Sequence, residues 1–132
     1  MLPSGRLYAK FPFYNLMNLQ DAFVEFIVSP TDKTKITVDF HHLALANSND
    51  LFYGGLGATS VSDVGTFGFN GKPSGGHNTI GQLLDINLAY NVTKDLSARL
   101  YYAHAFGGSV IETNYSAKKE ADTAWIELNA SF

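Results

Sequence analysis

The closing stretch Thr123-Ala124-Trp125-Ile126-Glu127-Leu128-Asn129-Ala130-Ser131-Phe132 alternates with a period of two. Ala124, Ile126, Leu128, Ala130 and Phe132 share one phase, and Thr123, Glu127, Asn129 and Ser131 share the other. Trp125 is the apolar exception on the polar phase. Successive side chains of a strand point to opposite faces, whereas a helix would repeat every 3.6 residues. This stretch therefore reads as a two-faced β-strand, with one face apolar and one face wet.

The same alternation runs through most of the chain. Leu19 to Ser29 sets Ala22, Val24, Phe26 and Val28 against Asp21, Glu25 and Ser29. Lys35 to Leu45 sets Ile36, Val38 and Phe40 against Lys35, Thr37, Asp39 and His41. Thr79 to Val92 sets Leu84, Ile86, Leu88, Tyr90 and Val92 against Asp85, Asn87, Ala89 and Asn91. Leu96 to Phe106 sets Leu96, Ala98, Leu100 and Tyr102 against Ser97, Arg99 and Tyr101. These strands run roughly 10 to 14 residues, where soluble strands average about 5 or 6. A tilted membrane-crossing strand needs about 9 to 11.

The connections are unequal. Short turns sit at Pro30-Thr31-Asp32-Lys33 and Thr93-Lys94-Asp95, where Pro, Asp and Thr suit tight bends. Residues 46–78 and 107–122 form long connections, the first rich in Gly, Ser and Asn. Outer-membrane barrels alternate short periplasmic turns with long outer loops in this way. The expected fold is all-β: antiparallel amphipathic strands forming part of a transmembrane outer-membrane β-barrel. Residues 1–18 are expected as an outer loop, and residues 19–132 as five strands. Five strands are too few for a barrel of eight or more, and an odd count does not return to its starting side. Met1 to Lys10 has no apolar signal segment. These features together predict a fragment of a longer wall.

Composition agrees with that expectation. Charged residues make up 16% of the chain, below the roughly 25% of soluble domains. The net charge is −3 without a basic stripe, which argues against a nucleic-acid partner. With no cysteine, a disulfide framework and a thiolate metal site are excluded.

The ending at Phe132, with Ile126 and Leu128 on its phase, resembles the assembly signal read by the barrel-assembly machinery. Further segments resemble the C-terminal third of the alginate-export-like outer-membrane porins. They are Lys10-Phe11-Pro12-Phe13-Tyr14-Asn15, Asp50-Leu51-Phe52-Tyr53, Ile80-Gly81-Gln82-Leu83-Leu84-Asp85, Gly107-Gly108 and Trp125 to Phe132. That resemblance implies a monomeric barrel of about eighteen strands around a polar conduit. It also implies an arginine-rich lining that draws an anionic polysaccharide outward. Here the polar phase departs from that lining, because only Lys35 and Arg99 oppose Asp21, Glu25, Asp39, Asp85 and Glu127.

The expected pore-lining residues are Glu25, Lys35, Asp39, Asp85, Asn87, Arg99, Glu127 and Asn129. They either set solute preference or pair across strands, as Glu25 could with Lys35. The expected function is a channel passing a small polar or anionic solute or polysaccharide across a Gram-negative outer membrane. Its partners are outer-membrane lipid, the assembly machinery and the solute. One alternative is a soluble β-barrel binding an apolar ligand within its Val, Ile and Phe phase. Another is a structural or adhesive surface barrel.

No metal, cofactor or catalytic residue is expected. His41 and His42 point to opposite faces of one strand, His77 lies in a loop, and His104 falls on the apolar phase. Neither a nucleophile elbow nor a phosphate loop frames the serines or the glycine-rich residues 65–76. Tyr90, Tyr102 and Phe106 are read as strand-end aromatics of interfacial girdles.

Overall fold

In a computed structural model of the chain, residues 17–53 and 71–131 are described. Almost all of the expected outer loop 1–18 with its Lys10 to Asn15 segment, residues 54–70 of the first long connection, and Phe132 lie outside them. The elements are β1 (Leu19–Thr31), β2 (Thr34–Leu45), β3 (Thr79–Asn91), β4 (Leu96–Gly107), α1 (Ser109–Asn114) and β5 (Glu120–Ala130). The strands form one antiparallel meander, in the order β1-β2-β3-β4-β5. Sequence-adjacent strands pair, as short antiparallel connections favour.

Register decides which residues share a row. On one face the rows are Phe26, Val38, Ile86, Tyr102, Ala124 and then Val28, Ile36, Leu88, Leu100, Ile126. Most of these residues are exposed, Ile126 at 73% and Phe26 at 62%, while Ile36, Val38 and Leu88 are half-buried. The opposite face carries the residues of the polar phase and is the more covered side of the sheet.

The two ends of the sheet differ. At the short-turn end, Thr31 and Thr34 join their hydroxyls at 2.8 Å around Asp32 and Lys33. The β3–β4 turn closes when the Val92 and Thr93 amides donate to the Leu96 carbonyl, at 2.9 and 3.1 Å. At the other end, the described parts of both long connections reach the polar-phase face. Val110 and Ile111 of α1 are buried with Leu43, Leu45, Leu83, Ala103 and Ala105, and Phe52 completes this cluster. Asn18, in the left-handed region at φ 51°, clamps the first connection. Its side chain donates to the Asn47 and Leu51 carbonyls and accepts from the Asn47 amide.

Two details depart from the sequence expectation. Residues 107–122 are not simply a loop: they hold α1, and β5 begins at Glu120 instead of Thr123. Six helical residues are too short to show a helical period, so the packing of Val110 and Ile111 secures the turn. Tyr102 stands mid-strand, opposite Ile86 and Ala124, and not at a strand end. Tyr90 and Phe106 do lie toward opposite ends of the apolar face.

A bulge also fits the long connections to the sheet. The β2–β3 register shifts at Leu43/Ala44, so Ile80 becomes an extra residue and turns into the core. Gly81, with φ 155°, stands opposite Gly107. A Cβ there would run into the Phe106 carbonyl oxygen, so the close approach of β3 and β4 requires glycine.

Candidate functional site

The polar-phase face is built in bands. Nearest the long connections it is apolar, filled by α1 and Phe52. Next comes the row Glu25, Asp39, Asp85, Ala103, Thr123. The following row is Ile27, Thr37, Asn87, Tyr101, Trp125, and the next is Lys35, Ala89, Arg99, Glu127.

All eight expected lining residues fall on this face, at different depths. Asp85 is buried; Asp39, Asn87, Arg99 and Glu127 are partly buried; Glu25, Lys35 and Asn129 are exposed. Direct register partners Arg99 and Glu127 bring Nη1 within 3.9 Å of Oε1. Asn129 donates to the same Glu127 carboxylate at 2.7 Å. Both charged groups keep about 40% exposure, so this pair adds little stability. The pairing of Glu25 with Lys35 is not formed. Glu25 faces Asp39, while Lys35 faces Ala89, because the β1–β2 turn sets a register that separates them.

His41 is the centre that single-strand reading overlooked. It is 1% exposed, and its Nδ1 lies 3.0 Å from both carboxylate oxygens of Asp21. Its Nε2 faces Asp85 Oδ2 at 3.9 Å, and Phe23 stacks on the ring at 5.2 Å between centroids. Asp39 belongs to the same group: one ligand atom from each of Asp39, His41 and Asp85 lies within 4.8 Å of the others. His42 points away and is exposed, as alternation requires. The legible signal was Asp39-x-His41, two same-face residues on one strand. Asp21 and Asp85 join them only through register.

Beside this group, Tyr101 is fully buried and stacks on Trp125 at 5.3 Å between centroids. Trp125 breaks the polar phase of its strand because it packs against this face's core. On the opposite, apolar face one polar group stands out. Asp122 accepts from the Tyr102 hydroxyl at 2.6 Å and meets His104 Nδ1 at 2.8 Å.

Outside the strands, the long connections are tied to each other. Asn114 donates to the Pro73 carbonyl at 2.8 Å, and the Lys72 ammonium sits 4.1 Å over the Tyr115 ring. Ser74 donates to the Ser48 carbonyl. Lys119 donates to Glu112 at 2.7 Å, which holds the Glu112 carboxyl below its ordinary range and the Lys119 ammonium above its own. No protein-family model, curated protein or solved structure matches this chain.

Proposed function

We propose that this sheet is part of the wall of an outer-membrane β-barrel that lets a polar solute cross the bilayer. The observation that carries the reading is the exposed apolar face, with Phe26, Val28, Leu100, Ile126 and Leu128 all far from buried. A contiguous apolar face of this kind is unfavourable in water, where large exposed patches mark a partner or a membrane. Every backbone group in hydrocarbon must be hydrogen-bonded, which a strand ladder closed into a barrel achieves. Further strands would complete the wall at the free edges of β1 and β5.

In this reading Ile126 and Leu128 meet lipid, and also present the face on which the assembly machinery templates the terminal strand. The polar-phase residues stay wet and line the passage, while α1 and the Phe52 segment narrow it at the long-loop end. Carboxylates outnumber bases on the described lining, which favours neutral or cationic solutes. An anionic or polysaccharide cargo would need basic residues from the rest of the wall. The exposure of the Val, Ile and Phe phase counts against a soluble barrel with an apolar interior.

The test uses the intact polypeptide that carries these strands. Expected are extraction only in detergent and stepwise conductance in planar bilayers. Recovery of a monodisperse, folded protein in detergent-free buffer would overturn the reading.

A further inference from the structure

The geometry points to a divalent-cation site on the polar-phase face, formed by His41 Nε2 with the carboxylates of Asp39 and Asp85, with Asp21 orienting His41. In a neutral ring whose Nδ1 donates its proton to the Asp21 carboxylate at 3.0 Å, Nε2 would carry a lone pair. That lone pair faces Asp85 Oδ2 at 3.9 Å, another acceptor. Nε2 has no hydrogen-bond partner among the described residues, although His41 is 1% exposed, and Asp85 beside it is 2% exposed. A cation between these two buried atoms would satisfy both at once.

The surrounding charge argues the same way. Glu25, Asp39 and Asp85 are direct cross-strand partners, so three carboxylates stand in one row. Like charges directly opposite are destabilising. The bases on this face, Lys35 and Arg99, lie two same-face rows away, about 13 Å along the strands. A cation held at His41 would neutralise this row at close range.

Distances fit a metal. Zinc bonds nitrogen and oxygen at about 2.0–2.2 Å, so ligand atoms of one shell lie about 3–4 Å apart. The 3.9 Å between Nε2 and Oδ2 falls at the upper end of that range, and Asp39, with a ligand atom within 4.8 Å of the other two, would complete a three-ligand set by a small side-chain movement. One imidazole and two carboxylates suit a first-row divalent ion such as Zn²⁺ or Mn²⁺. Asp21 behind Nδ1 is the carboxylate–histidine arrangement that fixes ring orientation in metal sites. Asp39, partly exposed, gives the cluster access to the open face, where water or a solute group would take the remaining positions.

The test is titration of the intact, detergent-folded polypeptide with Co²⁺, read by visible absorption, followed by displacement with Zn²⁺. Expected is one saturable equivalent. His41→Gln and Asp85→Asn should each weaken it at least tenfold, and Asp21→Asn by about 10–100-fold. His77→Gln and His104→Gln should bind as the unmodified chain does. Should a variant misfold, imidazole ¹⁵N shifts of the unmodified chain replace it: Nε2 of His41 should move on adding Zn²⁺. Absence of saturable uptake, unchanged affinity in His41→Gln and Asp85→Asn, or an unmoved His41 signal would each overturn the site. Such a result would leave His41 as a structural contact between Asp21 and Asp85. Metal uptake without conductance would sustain this site while removing the transport reading.

Discussion

At the scale of single residues, glycine and packing carry the clearest consequences. Gly81 lies where β3 and β4 approach too closely for any Cβ, so Gly81→Ala should lower stability by about 1–3 kcal/mol, measured by urea unfolding. Leu83 is fully buried beneath α1, and Leu83→Ala should cost about 2–5 kcal/mol in the same assay. Glu112 and Lys119 add a pH signature. The carboxyl of Glu112 is lowered by the Lys119 hydrogen bond and charge, so their contact contributes above the ordinary carboxylate range and weakens as pH falls through the lowered value. Lys119 is raised, so its contribution is complete below the ordinary lysine range and is lost as pH rises through the raised value. Amide shifts of Ser109–Asn114 should therefore be flat at neutral pH and move at both extremes. Glu112→Gln should abolish the acid limb.

At the scale of elements, each strand has one apolar face and one polar face. Ile86 lies in the middle row of the apolar face, and its chain neighbour Asn87 lies on the other. Ile86→Arg should cost about 2–4 kcal/mol of folding stability in lipid vesicles, whereas Asn87→Arg should cost far less. Equal costs at the two positions would remove the sidedness. The hairpins and alternation were readable because strand period and turn chemistry are local. Helix α1 was not, since a six-residue turn held by Val110 and Ile111 depends on a face built by β3 and β4.

At the scale of the molecule, the sheet separates an apolar side from a charged side, with free edges at β1 and β5 among the described residues. These 132 residues contain no cysteine, so a single introduced one is the only thiol among them. In vesicles, Ile126→Cys should resist a water-soluble maleimide, and Glu127→Cys should react within the same sheet. Reaction of Ile126→Cys at the rate of Glu127→Cys would mean that the apolar face meets water.

Alternation along Thr123 to Ala130 and its counterparts was enough to read an all-β chain of long two-faced strands, because each residue's face follows from its neighbours alone. The His41 cluster could not be read that way. Asp21, His41 and Asp85 come from three strands, and a one-residue slip in either pairing would turn a member to the opposite face. The Gly81 bulge, the mid-strand place of Tyr102 and the opposition of Glu25 to Asp39 depend on the same register. That register is a property of the assembled sheet, set by turn lengths and by packing beneath α1.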